Sequence, residues 1–164
     1  DINQKAVELT KDKLDFDCDF ENNIEVQLGD ACDLKSVDDN SIDLICTHPP
    51  YADIIKYSDD IDGDLSHLKY KEFLTAIEKV ANECYRVLKK DRFCAIVMGD
   101  TRKNGMVQPL GFEVMQRFIS AGFKQKEIII KEQHNCKATG FWKTNSKKYN
   151  FLLLAHEYIF IFKK

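Results

Sequence analysis

The sequence predicts an α/β domain built on a mostly parallel sheet with an antiparallel C-terminal strand, and three observations predict it. Helical and strand-like segments alternate along most of the 164 residues. Several strand-like segments are almost entirely apolar, as strands buried on both faces must be. Asp30, His48 and Asp100 each follow a strand-like run, and a parallel sheet binds its ligands beyond the carboxyl ends of its strands.

Taken in order, "NQKAVELTKDKL" combines good helix formers with apolar Ala6, Val7 and Leu14, which predicts a helix from Gln4 to Leu14. "NNIEVQLGD" alternates Ile24, Val26 and Leu28 before Gly29, the pattern of a short strand over 24–28. "NSIDLICTH" predicts a strand over 42–47 that stops at a double proline. In "YKEFLTAIEKVANECYRVLKK", Phe73, Leu74, Ile77, Val80, Ala81, Cys84, Val87 and Leu88 form one stripe at helical spacing. Its basic end suits the negative pole of a helix dipole. "RFCAIVMGD" predicts a buried strand over 92–98.

A further helix is expected between Pro109 and Gly122, with Phe112, Met115 and Ile119 on one face and Phe118 beside them. Strands over 124–131 and 151–162 follow, joined by the long polar and basic loop "EQHNCKATGFWKTNSKKY". No helix separates these two strands in that reading, so only the last should oppose the others. One sheet and no linker make residues 1–164 a single domain.

Composition narrows the function. The chain is 44% apolar and 31% charged, ordinary for a globular domain with a core. No apolar stretch reaches the roughly 18 residues of a membrane-spanning helix, so no membrane partner is expected and the cytoplasm is the expected compartment. The six cysteines, Cys18, Cys32, Cys46, Cys84, Cys94 and Cys136, form no C-x-x-C pair and are expected to be inert thiols. His134 and His156 have no ligand partner at useful spacing, and no metal site is expected. Residues 1–100 carry 12 basic and 23 acidic side chains, whereas residues 101–164 carry 12 basic and only 4 acidic. A basic half is compatible with a nucleic-acid partner on one face, and equally with solvated lysines.

The most informative stretch is "THPPY". Pro49 and Pro50 have fixed φ and no N–H, and each restricts the residue before it. The turn therefore presents backbone carbonyls with few donors nearby. A neutral His48 adds an acceptor nitrogen and Tyr51 a flat ring on which a base can stack. The plain alternative is a strand-terminating turn whose tyrosine packs on the core.

His48-Pro49-Pro50-Tyr51 resembles the D/N/S-P-P-Y/F/W motif of S-adenosylmethionine-dependent amino-methyltransferases, chiefly those acting on N6 of adenine or N4 of cytosine in DNA. "DINQKAVELTKDKL" looks like the strand end and helix that handle the cofactor ribose, placing Asp1 on its hydroxyls. "LGDACDL" resembles the next cofactor motif, placing Asp30 near the adenine amino group and Ala31 and Cys32 beside the ring. "ECYRVLKKDRFCAIVMGD" resembles a later helix and strand of the same Rossmann-like methyltransferase fold.

The resemblance implies methyl transfer to an exocyclic amino group, with His48 and the Pro49 carbonyl as acceptors and Tyr51 stacking on the base. Tyr57 and Ser58 could line the same pocket or pack back on the sheet. Arg102, Lys103, Lys143, Lys147 and Lys148 are candidate phosphate contacts or surface charge, and Phe141 and Trp142 interleave with the last three.

Two departures stand out. His48 replaces the usual Asp, Asn or Ser, and the glycine-rich F-x-G-x-G cofactor loop, which belongs upstream of Asp1, is not in this sequence. The fold is thus expected to be incomplete at its N-terminus. The first strand and glycine loop would come from a preceding segment, or from another chain or peptide. The alternatives are an RNA amino-methyltransferase and a non-catalytic nucleic-acid-binding scaffold of the same fold.

Overall fold

A computed structural model describes residues 1–14, 24–59, 61–134 and 139–164. Helix α1 (Gln4–Lys13) precedes strand β1 (Ile42–Thr47), helix α2 (Tyr70–Val87) and strand β2 (Leu88–Met98). A small hairpin, β3 (Thr101–Lys103) and β4 (Met106–Gln108), leads into helix α3 (Leu110–Ser120). Strand β5 (Lys124–Glu132), helix α4 (Thr139–Tyr149) and strand β6 (His156–Lys163) complete the order.

Among the described residues, four strands form one sheet in the order β1-β2-β6-β5. β1 pairs with β2 in parallel, and β6 runs antiparallel to both β2 and β5. Of the five strands expected in one sheet, these four are present, and β1, β2 and β5 share a direction that only β6 opposes. As a result, the carboxyl ends of β1, β2 and β5 and the start of β6 meet at one edge of the sheet.

The long helix is formed as its periodicity requires. Phe73, Leu74, Ile77, Val80, Ala81, Cys84 and Val87 of α2 are all buried. The side chain of Glu72 accepts the Lys69 amide at 3.2 Å and closes the first turn. With α3, this helix covers the sheet face made by Cys94, Ile96 and Met98 of β2 and Tyr158, Phe160 and Phe162 of β6. Burying Phe160 or Phe162 is worth roughly 1.5–3 kcal/mol each relative to exposure. That packing anchors the strands whose ends carry the site.

Several sequence expectations are corrected. Residues 24–28 form no strand, because no strand of the described residues lies alongside them. Their backbone pairs instead with the first residue, through Gly29 N–H to the Asp1 carbonyl at 3.0 Å and the Asp1 amino group to the Gln27 carbonyl at 3.1 Å. Helix α2 stops at Val87, and Lys89 and Lys90 belong to β2. There, fully buried Leu88 pairs with Ile42 and Lys89 reaches Asp43 at 2.7 Å.

Helix α3 turns inward through Leu110, Gly111, Val114 and Phe118, leaving Phe112 and Ile119 nearer the surface than expected. Its first turn is fixed from outside the helix. Gly111 donates to Asp100 at 3.0 Å and lies so close to the Tyr158 ring that a Cβ would approach it to 2.8 Å.

Part of the expected loop before the last strand is helix α4, whose exposed polar surface lacks the apolar stripe that would have marked it. The last strand begins at His156, five residues later than expected. The β3–β4 hairpin was not expected, although its turn residues Asn104-Gly105, both at positive φ as a tight hairpin turn requires, could have marked it. Among the described cysteines, Cys84 and Cys94 are buried, Cys32 is partly buried and Cys46 is exposed. Cys18 and Cys136 lie outside the described residues. No helix of the described residues is long and apolar enough to cross a membrane, and none of their His, Cys, Asp and Glu side chains cluster as a metal site.

Candidate active site

The double proline sits where β1 leaves the sheet. His48 is exposed, Pro49 and Pro50 are partly covered, and the backbone reverses at buried Ala52, a non-glycine residue at φ 52°. Tyr51, just before this reversal, lies over the end of β2. Its hydroxyl donates to Glu157 Oε1 at 2.5 Å, and its ring lies against Gly99.

Glu157 is only 5% exposed, yet it is charged. Burial opposes that charge, but Lys131 at 2.6 Å, Tyr51 and Gln133 all donate to the carboxylate and hold its pKa below the usual range. Lys131 stands directly across the β5–β6 ladder from it. Burial and the neighbouring carboxylate push the Tyr51 phenol far above its ordinary pKa, so it remains a neutral donor. His48 Nε2 lies 3.0 Å from the Tyr51 oxygen and 3.7 Å from Glu157 Oε1.

A second group assembles at the N-terminal side. Asp1 Oδ1 accepts the Asn3 amide and Asp30 Oδ1 accepts the Cys32 amide, each at 2.8 Å. One oxygen of each carboxylate is thereby fixed by the backbone two residues on. Ala31 is exposed beside Asp30. The Cys32 thiol is pushed up to about 11, by burial first and by Asp30 second, and it faces the Ala76 carbonyl at 3.7 Å.

The loop after Tyr51 spans the distance between the two groups. Tyr57 offers its carbonyl to Asn3 at 3.4 Å, and a Cβ on Gly63 would touch Ile2 at 3.0 Å and approach Asp30 at 3.7 Å. Asn3, Lys56, Tyr57, Ser58 and Ile61 line part of an open groove of about 580 Å³. The Tyr57 ring is 63% exposed. The Ser58 hydroxyl is tied to Asp64 at 2.5 Å and faces His67 at 3.2 Å, so it shapes the loop.

The cationic candidates divide in two. Arg102 is engaged within the chain: it donates to the Gly105 and Leu152 carbonyls at 2.8 and 3.0 Å and lies over the Phe151 ring. Lys103, Lys143, Lys147 and Lys148 are exposed. The last three project from α4 with exposed Phe141 and Trp142, and Trp142 meets Phe151 edge-on. Asp100 is spent on Gly111 and on the Tyr158 hydroxyl at 3.2 Å, and His156 bonds that same hydroxyl at 3.1 Å.

Residue-by-residue reading of the sequence missed Glu157, Lys131, Gln133 and Gly99. One signal was present: Glu157 is a lone acid in the apolar run "FLLLAHEYIFIF", and a buried carboxylate demands partners.

A family model described as DNA methylase, for N6 and N4 methyltransferases, matches residues 42–164. The chain belongs to this DNA methylase family. The match contains the double proline, the whole sheet and α4, while Asp1 and Asp30 lie before it. The type II methyltransferase M.MjaVI of Methanocaldococcus jannaschii is 31% identical over 113 residues, which are 67% of this chain and 56% of that protein.

Among solved structures, TTHA0409 of Thermus thermophilus, complexed with S-adenosyl-L-methionine, superimposes with a TM-score of 0.59 at 28% identity. That likeness covers 83% of this methylase chain and 53% of TTHA0409. The cytosine-N4-specific PvuII DNA methyltransferase shares the fold, with a TM-score of 0.64 at 22% identity over 82% of this chain and 47% of its own. The chain spans about half the length of these relatives.

Proposed function

We propose that this chain is the catalytic part of a DNA methyltransferase that moves a methyl group from S-adenosylmethionine to an exocyclic amino nitrogen, N6 of adenine or N4 of cytosine. One observation carries the reading. At the carboxyl end of β1, His48 and the donor-free Pro49-Pro50 turn stand beside Tyr51 at the edge where β1, β2 and β5 end.

An arylamine is a poor nucleophile because its lone pair is delocalised into the ring. Acceptors on its two hydrogens orient the nitrogen and stabilise the positive charge that develops on it. His48 and the Pro49 carbonyl supply acceptors of that kind. Tyr51, held at its hydroxyl by Glu157, offers a ring fixed in place for stacking. A base in duplex DNA must leave the stack to reach such a turn, and the lysines and aromatics of α4 suit the surrounding strand.

The residues present suit the adenosine part of the cofactor. Asp1 and Asp30, each with one oxygen fixed by its own turn, retain acceptor capacity for ribose hydroxyls and an adenine amino group. Gly63 leaves room beside Ile2 and Asp30 that a side chain would fill. When bound, S-adenosylmethionine supplies an electrophilic methyl group on a sulfonium centre.

The test is product analysis with the full-length protein. Duplex DNA is incubated with methyl-labelled S-adenosylmethionine, digested to nucleosides and separated, with RNA of the same sequence in parallel. Label in N6-methyladenine or N4-methylcytosine of the DNA is expected. Label on a ring carbon, in RNA alone, or nowhere would overturn the proposal.

A further inference from the structure

The Tyr51 hydroxyl has one proton and more than one neighbour able to compete for it. Glu157 Oε1 lies at 2.5 Å and His48 Nε2 lies at 3.0 Å. An ionised carboxylate only accepts, and it is the stronger partner. Lys131, at 2.6 Å from the other carboxylate oxygen, helps keep Glu157 ionised. The tyrosine proton therefore goes to Glu157. Toward His48 the phenol oxygen can then only accept, which requires the hydrogen of a neutral imidazole to sit on Nε2. Nδ1 keeps the lone pair, and it has no hydrogen-bond partner among the described residues.

We propose that Glu157 is a positioning residue: acting through Tyr51, it selects the Nε2–H tautomer of His48 and so makes Nδ1 the nitrogen that accepts from the target amino group. The last step rests on the proposed function, whereas the tautomer itself does not. The arrangement accounts for a buried, charged glutamate at the end of an apolar strand. A fixed tautomer leaves His48 one defined acceptor nitrogen whenever the imidazole is neutral.

The experiment reads the tautomer directly, without methyl transfer. Protein labelled with ¹⁵N-histidine is examined at neutral pH by long-range ¹H–¹⁵N correlation, with His48 assigned by comparison with His48→Gln. The wild type is expected to show Nε2 protonated and Nδ1 unprotonated. Glu157→Leu frees the Tyr51 proton for the Nε2 lone pair, and the Nδ1–H form should become the major one. Tyr51→Phe removes the phenol as both acceptor and donor while leaving the Glu157–Lys131 pair intact, and it should lower the Nε2–H population from that of the wild type.

An Nδ1–H form in the wild type, or unchanged populations in Tyr51→Phe, would overturn the proposal even if Glu157→Leu does not fold. The expected tautomers in a protein that methylates nothing would sink only the functional reading. DNA methylation by a protein with the Nδ1–H form would sink only this one.

Discussion

A β-carbon added to Gly99 would stand 3.1 Å from Cε2 of Tyr51, so the end of β2 and the tyrosine ring are in direct contact. The ring cannot retreat freely, because its hydroxyl is held by Glu157 on the next strand. Gly99→Ala is therefore expected to overpack the site and cost about 1–3 kcal/mol of stability. Urea titration checks this. In a Tyr51→Ala background the same substitution should be nearly silent, and additive costs would remove the contact as its cause.

Loss of the His48 acceptor should appear in the chemical step. His48→Ala is expected to slow single-turnover methylation by about a hundredfold to a thousandfold, or about 2.7–4 kcal/mol, by analogy with deleting an oriented donor from an oxyanion site. Cofactor affinity should stay unchanged. His48→Asn retains an acceptor and should recover much of the rate. Full activity in His48→Ala would make the histidine a structural residue.

Helix α4 should be felt through salt. Replacing Lys143, Lys147 and Lys148 with Ala is expected to weaken DNA binding and flatten its salt dependence. Each lost phosphate contact should lower the slope of log K against log salt by about 0.9. Binding isotherms at several salt concentrations measure it, and an unchanged slope would leave α4 an ordinary solvated face.

Acid should expose the Glu157 network. Its carboxyl pKa is lowered in the folded protein because the donors Lys131, Tyr51 and Gln133 outweigh the burial that opposes ionisation. A depressed carboxyl contributes stability that is present above its unfolded pKa, about 4.3 for a free glutamate. That contribution is lost as pH falls through the folded value. Glu157→Gln should lose stability at neutral pH and show a shallower decline below about pH 4 than the wild type. Parallel stability–pH curves in denaturant would contradict this.

The sequence alone determined the long helix and the placement of the double proline at a strand end, whereas the antiparallel last strand was expected from a loop that proves to contain α4. The first two have a local physical cause. Helical spacing writes the stripe of α2, the turn chemistry of proline ends β1, and the run of apolar residues marks β2 and β6. Where the local pattern was weak, reading it misled. The strand expected over 24–28 had alternation without a neighbouring strand, and α4 had helical geometry without an apolar stripe.

Only the tertiary structure decided what Tyr51 does. Its partner Glu157 lies 106 residues away, and the pair meets because β6 enters the sheet beside β2, bringing its first residues to the edge where β1 and β2 end. Lys131 joins them through the β5–β6 register. The inward face of α3 was likewise set by a distant contact, the approach of Gly111 to Tyr158 and Asp100. Periodicity and turn chemistry report on neighbours along the chain, whereas a hydrogen-bonded ion pair between strand ends depends on strand order and register, which leave no local trace.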